Sequence, residues 1–299
     1  KFIFKDDLEI KNLNNRKSLN LIISKSGNTL ETIINSNILI KKNSPNIFIT
    51  ENKKNYLSTL ALKLKSEIIH HNNFIGGRYS VLSEVGMLPA EMMGLNIKKF
   101  RKFNELIKNK YFINSLISNV SNTLHLIKRN KFNSVILNYD PGSDDLFYWY
   151  QQLIAESLGK KGKGIFPIIS NMPKDNHSLM QLYLDGIKNN FYTFFFYKDN
   201  NSKIVNNNNI LDTHKYLKDK KILDIKFSQY AATIKVFLEK KIPFRSFEIK
   251  QKNEETLGEL FTFFILETIL LAKAMKINPY DQPAVELIKS NTKKFISKI

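Results

Sequence analysis

The sequence predicts an α/β protein made of two parallel sheets flanked by helices. Apolar, β-rich runs alternate with longer amphipathic stretches along most of the chain, which is the pattern of βαβ units. The alternation stops between Gly86 and Asn130, where the pattern is helical throughout, so this stretch is expected to connect two α/β halves. The 299 residues suffice for two domains, and 42% of them are hydrophobic, which provides for two cores.

The domain boundaries follow from this pattern. We place a first, partial domain at residues 1–110, a second at 111–277 and a C-terminal helix at 278–299. The elements of the first half are the strand-like KFIF (1–4), the strand NLIIS (20–24), the helix NTLETIINSNILIKK (28–42) and the strand NIFITEN (46–52). In the second half the strands are expected in SVILNYD (134–140), GIFPIIS (164–170), FYTFFFYKD (191–199) and RSFEIKQ (245–251). The helices between and after them are expected in 146–161, 177–187, 223–241 and 260–275, followed by the C-terminal helix.

The composition narrows the possible functions. A net charge of +19 could indicate a nucleic-acid or membrane partner, but the lysines are scattered among Asn and Ile rather than clustered, as a compositional bias would produce. We therefore expect no nucleic-acid partner and no membrane partner. The chain has no Cys, which excludes disulfides and thiolate chemistry. The most apolar stretch, 260–275, contains Glu267 and Lys273 and is typical of a buried helix. No secretory signal is visible, and the predicted location is the cytoplasm.

The stretch SKSGNT (24–29), between the strand NLIIS and a helix, suits an anion. Backbone N–H groups at a helix N-terminus are unpaired and carry partial positive charge. Gly27 would allow close approach, and hydroxyls and one ammonium group surround it; these come from Ser24, Lys25, Ser26 and Thr29. The spacing of Asn28 and Glu31 equally predicts an ordinary capping box. The local pattern leaves both interpretations open.

Four further segments carry candidate side chains. Gly76 and Gly77 precede Arg78, whose guanidinium could be delivered into a crevice to stabilise an oxyanion, or could be a solvated Arg after a glycine turn. Glu156 lies among Leu153, Ile154 and Leu158 and could act as a base, or be an ordinary exposed helical Glu.

His177 is expected at a helix start, where a lone His is more often structural. Gln282 and Lys289 are seven residues apart and would share one helix face, although Lys289 could simply be a surface residue. No spacing of His residues fits a zinc site.

Together, these segments resemble the phosphoglucose isomerase family, of the bacterial type. The resemblance is carried, in this order, by SKSGNTLET, by GGRYSVLSEVGM, by WYQQLIAESLGKKGKGIFP with DNHSLMQLYLDG, and by NPYDQPAVELIK. It implies two sugar-isomerase (SIS), flavodoxin-like domains and the reversible isomerisation of glucose 6-phosphate to fructose 6-phosphate. It also implies that there is no cofactor or metal, and that a homodimer shares its active sites between subunits.

The resemblance also implies roles for single residues. Ser24, Lys25, Ser26 and Thr29 would hold the phosphate, and Gly77 and Gln282 would contact the substrate. Glu156 would move a proton between C1 and C2, Arg78 would stabilise the cis-enediolate, and His177 and Lys289 would assist ring opening. The family's glycine- and serine-rich sugar loop, which precedes the SKSGNT block, has no counterpart here. This difference predicts a chain that lacks its N-terminal helices and first strand.

Three other functions remain as alternatives. One is a dual phosphoglucose/phosphomannose isomerase, which turnover of mannose 6-phosphate would reveal. Another is a non-catalytic SIS-domain sensor of sugar phosphates, which would lack the residues of the chemistry. The last is nucleic-acid binding driven by charge, which would need clustered aromatic and basic side chains.

Overall fold

The computed structural model describes residues 2–8, 18–41, 44–198 and 201–299. They form two compact units, Lys1–Lys102 (unit 1) and Phe103–Ile299 (unit 2). In both units the sheets are parallel and flanked by helices, so the predicted fold class is confirmed. The strand expected at residues 1–4 is wrong, because the described residues of that stretch, 2–4, adopt no regular structure.

Unit 1 contains a three-stranded parallel sheet in the order β1-β2-β3. Phe48 and Ile49 in the central strand are fully buried, and Phe48 packs with Ile22, Leu57 and Ala61 in a small core. The strands and helices of this unit are β1 (Asn20–Ile23), α1 (Leu30–Leu39), β2 (Asn46–Glu51), α2 (Tyr56–Lys63), β3 (Glu67–His71), α3 (Glu84–Met92) and α4 (Ile97–Phe100).

Unit 2 contains a four-stranded parallel sheet in the order β5-β4-β6-β7. The connection predicted between Gly86 and Asn130 is helical, with short helices before a long one. The elements of unit 2 are α5 (Phe103–Leu106), α6 (Lys110–Lys128), β4 (Asn133–Asn138), α7 (Asp144–Leu158), β5 (Phe166–Asn171), α8 (Met180–Asp185), β6 (Asn190–Tyr197), α9 (Ile222–Glu239), β7 (Phe244–Ile249), α10 (Glu254–Ala274) and α11 (Val285–Ile296).

The strand β6 is apolar on both faces because helices cover both faces of the sheet. On one face Phe194 packs against Phe237 of α9 with ring centroids 5.1 Å apart. On the other face Phe195 packs against Phe147 of α7 at 4.8 Å. Successive side chains of a strand point to opposite faces, so this single apolar run contributes to both halves of the core.

A buried polar network joins five elements of unit 2. Arg245 of β7 forms an ion pair with Glu267 of α10, which is 1% exposed. The guanidinium also donates to Asn119 of α6, at 2.7 Å, to Thr193 of β6, at 2.9 Å, and to Tyr150 of α7, at 3.2 Å. Asn119 in turn donates to Glu267. These contacts offset the cost of placing two charges in the core.

Candidate active site

The turn that follows β1 holds four of the predicted phosphate ligands at the carboxyl edge of the sheet in unit 1. Ser24 is buried, and its Oγ lies 2.8 Å from Oγ1 of Thr29, so the two hydroxyls span the turn. Ser26 is exposed at the tip, where its Oγ accepts a hydrogen bond from the backbone N–H of Asn28. Gly27 has φ of 64°, in the left-handed region that favours glycine.

The side chain of Asn55 packs against this turn at Gly27. Its side chain accepts a hydrogen bond from Ser58 N in the capping box of α2 and donates to Thr50 Oγ1 at 3.0 Å. A Cβ atom on Gly27 would lie 2.0 Å from Asn55 Oδ1. Asn55 was not among the predicted site residues, although its spacing to Ser58 is a capping signal that could have placed it at a helix start.

Lys25 of the turn contacts Glu51 at the end of β2. Its Nζ lies 3.4 Å from Glu51 Oε2, while its backbone carbonyl accepts hydrogen bonds from Glu51 N and Thr50 Oγ1. The turn is therefore connected to the end of β2 by both its main chain and its only ammonium group. Glu51 was not anticipated as a partner of Lys25.

The capping box, one of the two interpretations left open for this stretch, is not formed at Asn28. The helix α1 begins at Leu30 with Thr29 as its N-cap, and no side chain there makes a capping hydrogen bond. Asn28 Oδ1 accepts instead from the backbone N–H of Tyr56, 3.1 Å away. Asn28 thus holds the two helix starts together, and the first turn of α1 keeps N–H groups that suit an anion.

The segment carrying Gly77 and Arg78 leaves the same edge of the sheet, after β3. It forms a 3₁₀ helix at Gly77–Leu82, in which Arg78 is 5% exposed and its guanidinium carbon lies 5.4 Å from the centre of the Tyr79 ring. A Cβ atom on Gly77 would meet no atom within 4 Å. The described residues therefore leave open space in front of this glycine.

A hydrogen-bonded His–Glu pair joins the two ends of this segment. His71, the last residue of β3, contacts Glu84 Oε1 through Nδ1, and its Nε2 lies 3.0 Å from the carbonyl oxygen of Ile75. The two ring nitrogens face two different oxygen atoms, so the His71 ring links the carboxylate of Glu84 to the main chain at Ile75. Burial alone would raise the pKa of Glu84, but hydrogen bonds from its own backbone N–H, from His71 and from Asn72 N lower that pKa below its ordinary value. This pair was not predicted from the sequence.

Glu156 lies in unit 2, near the C-terminus of α7. It is half-buried, and its Oε1 accepts a hydrogen bond from Gln152 Nε2 at 2.9 Å. Its apolar neighbours, Leu153, Ile154 and Leu158, are buried in the core as the sequence suggested. Gln151 Nε2 donates to the carbonyl of Pro167 at the start of β5, which places this end of α7 at the amino edge of the sheet.

The segment 278–289, which we call the C-terminal block, contacts the turn after that end of α7. Lys160 Nζ forms an ion pair with Asp281 Oδ1 at 2.8 Å and donates to the carbonyl of Asn278 at 2.6 Å. The Lys160 ammonium lowers the pKa of the Asp281 carboxyl below its ordinary value. Gln282 is adjacent to Asp281, so it and Glu156 belong to the same end of unit 2.

Gln282 and Lys289 do not share a helix face, contrary to the prediction. The helix α11 begins at Val285, after Pro283, so Gln282 lies in the irregular segment before it. Lys289 lies on α11, where its Nζ donates to Glu286 Oε1 at 2.8 Å. Its side chain is 58% exposed.

His177 lies at the opposite edge of the sheet in unit 2. It follows a 3₁₀ turn at Lys174–Asn176 and is separated from the first residue of α8 by two residues, so it does not begin the helix. Asp175 fixes the turn by accepting from Ser170 Oγ, Asn171 N and Ser178 Oγ. Burial would raise the pKa of Asp175, but the hydrogen bonds from Ser178, Ser170 and Asn171 lower it below its ordinary value.

The amino and carboxyl edges of the sheet in unit 2 are well separated. The strand β5 has six residues, and at about 3.3 Å per residue the sheet is roughly 20 Å deep from edge to edge. Unit 2 of one chain therefore groups Glu156 with the C-terminal block and keeps His177 apart from them.

In the described ranges no group of three or more His, Cys, Asp or Glu side chains could hold a metal ion. Nor does any helix there combine the length and apolarity needed to cross a lipid bilayer.

Comparison with known proteins gives consistent matches. The sequence model of the family described as phosphoglucose isomerase matches residues 7–165. The glucose-6-phosphate isomerase of Mycoplasmopsis synoviae is 32% identical over 287 residues, which cover 90% of this chain and 67% of that protein. The enzyme of the same name from Methanocaldococcus jannaschii is 33% identical over 291 residues, covering 93% of this chain and 71% of that protein.

The fold agrees with a solved structure. A hypothetical protein from Thermus thermophilus superposes with a TM-score of 0.88 at 24% identity, covering 99% of this chain and 77% of that one. At this identity the similarity concerns the fold alone.

Proposed function

The chain belongs to the phosphoglucose isomerase family, and we propose that it interconverts glucose 6-phosphate and fructose 6-phosphate, an aldose–ketose isomerisation of glycolysis and gluconeogenesis. The substrate is a sugar phosphate, and the reaction proceeds through ring opening and a cis-enediolate. The proposed location is the cytoplasm.

One observation in unit 1 carries this proposal. The turn with Ser24 and Thr29 and the segment with Arg78 leave the same edge of the sheet, from strands that are separated only by β2. Two strand spacings amount to about 10 Å, which is the scale of an open-chain hexose phosphate. A phosphate held at the turn would thus leave the reacting end of the sugar near the guanidinium.

The turn provides binding rather than chemistry. The hydroxyls of Ser24, Ser26 and Thr29 and the first N–H groups of α1 suit a phosphate dianion, and Lys25 adds charge while it remains paired with Glu51. Gly77 leaves room for the sugar. The phosphate is remote from C1 and C2, so its binding energy serves to orient the reacting carbons.

The chemistry requires a base and a stabilising cation. In this proposal Glu156 removes the proton from C2 of the open-chain aldose and returns it to C1, and the reverse reaction uses the same group. Arg78 stabilises the oxyanion that develops on the enediolate, a role that the forked N–H donors of a guanidinium suit. Lys289 and His177 assist ring opening by proton transfer at the ring oxygen and the C1 hydroxyl, and Gln282 contacts the sugar.

The separation of Glu156 from His177 favours a homodimer with shared active sites. The two side chains lie at opposite edges of one sheet, which is roughly 20 Å deep, whereas a sugar phosphate is about half as long. A second copy of the chain would bring its own His177 to the Glu156 end. In addition, α11 exposes apolar side chains that a partner would cover, including Leu287, Ile288 and Phe295.

Turnover of fructose 6-phosphate, coupled to the oxidation of glucose 6-phosphate, tests the activity and the base. We expect Glu156→Gln to lower kcat by about 10² to 10⁴-fold, the usual contribution of a general base. Glu239→Gln, at the exposed end of α9, is the matched control and should retain full activity. Full turnover by Glu156→Gln would rule out the assignment of the base.

The same assay tests the phosphate site. Ser24→Ala combined with Thr29→Ala should raise KM strongly, because two phosphate ligands are lost. An unchanged KM would place the phosphate elsewhere.

Subunit complementation tests the shared site. If His177 comes from the partner, mixing inactive Glu156→Gln and His177→Ala subunits creates dimers with one intact site. Half of the randomly formed dimers are mixed, so activity should return to about a quarter of the unmodified level. Sites formed within one chain would restore none.

A further inference from the structure

The segment that carries Arg78 has its two ends joined by a pair of side chains. No part of the proposed chemistry uses this pair. His71 and Glu84 are thirteen residues apart in the sequence and bond to each other. The former ends β3, and the latter is the first residue of α3. Everything between them, including Gly76, Gly77 and Arg78, forms a loop whose two ends this contact joins.

His71 also forms a hydrogen bond with a backbone group within the loop. Its Nε2 donates to the carbonyl of Ile75 at 3.0 Å, immediately before the two glycines. Glu84 Oε1 accepts a second hydrogen bond from Asn72 N at 3.1 Å. The pair therefore fixes the loop at two points, Asn72 and Ile75. Both points precede Gly76, Gly77 and Arg78 in the chain.

The surroundings make this contact strong. The His71 side chain is completely buried and that of Glu84 is 30% exposed, so solvent reaches this contact from the Glu84 side only. Glu84 occupies the first turn of α3, where a carboxylate interacts favourably with the helix dipole. Within the segment, the carbonyl of Gly77 accepts a hydrogen bond from Ser80 Oγ and that of Gly76 accepts one from Tyr79 N. These hydrogen bonds are internal to the 3₁₀ helix, whereas the contact between His71 and Glu84 ties the segment to the end of β3.

We propose that His71 and Glu84 are positioning residues for the isomerisation, acting through Arg78. They hold the loop 72–83 closed so that the Arg78 guanidinium meets the developing enediolate. Substrate affinity, which comes mainly from the phosphate turn after β1, does not depend on them. This inference rests on the proposed function, in which Arg78 stabilises the oxyanion.

A double-mutant cycle separates this role from a general loss of structure. His71→Asn and Glu84→Gln should each lower kcat at least about tenfold while KM changes less than about twofold, as for an interaction used only in the transition state. If His71 acts through Arg78, the double variant His71→Asn/Arg78→Lys should be no slower than Arg78→Lys alone. His70→Asn is the matched control, since His70 is the exposed neighbour on the same strand. It should behave like the unmodified protein.

Independent losses that multiply in the double variant would overturn the proposal, as would a rise in KM without a change in kcat. If the unmodified chain turns over no substrate, or if Arg78→Lys is fully active, the proposed function itself fails.

Hydrogen–deuterium exchange provides a readout that needs no activity. In His71→Asn, amides of the loop 72–83 should exchange at least about tenfold faster, while those of the turn 24–29 stay unchanged. Unchanged exchange in the loop would overturn the proposal even if kcat falls, and faster exchange throughout the unit would indicate a merely structural role.

Discussion

The side chain of Asn55 fills the space in front of the α-carbon of Gly27, so that a methyl group at position 27 would lie 2.0 Å from Asn55 Oδ1. Asn55 cannot withdraw freely, because it caps α2 and donates to Thr50 Oγ1 and to the carbonyl of Lys53. The shape of the phosphate turn thus depends on a residue of the following βα connection.

Gly27→Ala should therefore disturb both stability and phosphate binding. A non-glycine residue at φ of 64° costs about 1–2 kcal/mol, and the clash with Asn55 adds to this cost. Gly94→Ala is the matched control, since Gly94 also has a positive φ but open space around it. Urea unfolding should show the larger loss of stability for Gly27→Ala, and only this variant should raise KM. Equal losses in the two variants would show that Asn55 moves aside without cost.

Lys160 is expected to position the C-terminal block of the site. Lys160→Met removes the ion pair to Asp281 and the hydrogen bond to Asn278 O. We expect kcat to fall by about tenfold to a hundredfold, since displacing a catalytic group by about 1 Å has effects of this order. Lys161→Met, in the same turn and exposed, should have little effect. Asp281→Asn should be milder than Lys160→Met, because the hydrogen bond to Asn278 O survives; the opposite order would contradict this interpretation.

Asp175 makes part of the stability depend on pH. Its pKa is lowered in the folded protein, so its carboxylate contributes fully above the ordinary value of 3.8, and this contribution is lost as the pH falls through the lowered pKa. Asp175→Asn should be less stable at neutral pH and should lose less stability in acid, as urea unfolding from pH 7 to pH 3 would show. Asp185→Asn, at the exposed end of α8, controls for the change in net charge. A curve for Asp175→Asn parallel to that of the unmodified protein would exclude this role.

The pair formed by Arg245 and Glu267 should be costly to break on one side only. Glu267→Met leaves the guanidinium buried without its counter-charge, and we expect a loss of about 3–5 kcal/mol. The double variant Arg245→Met/Glu267→Met should be more stable than Glu267→Met, because no unpaired charge remains. Additive losses measured by urea unfolding would instead show that Asn119, Tyr150 and Thr193 solvate each charge separately.

The sequence predicted the strands best where burial decides the structure. The run FYTFFFYKD is apolar on both faces, and such a run is typical of a central parallel strand, as β6 is. The turn after β1 was also located correctly, because the apolar run of β1 ends abruptly at Ser, Gly and Thr.

The errors concern partners that are distant in sequence. The spacing of Asn28 and Glu31 fits a local cap, but Asn28 binds the backbone of Tyr56, which no local rule predicts. Gln282 was assigned to a helix because its spacing to Lys289 suits one, although helix formation begins only beyond Pro283. His71 and Glu84 were overlooked because their contact depends on the path of the loop between them.

The buried network around Arg245 bears on when unit 2 can complete its folding during synthesis. Asn119 and Glu267, which share the guanidinium, are 148 residues apart. Until α10 has left the ribosome, a chain that already contains β4 to β7 lacks the carboxylate that neutralises its arginine. Docking of the strands should therefore wait for α10, and a nascent chain stalled before Glu254 should remain susceptible to proteases and dependent on chaperones.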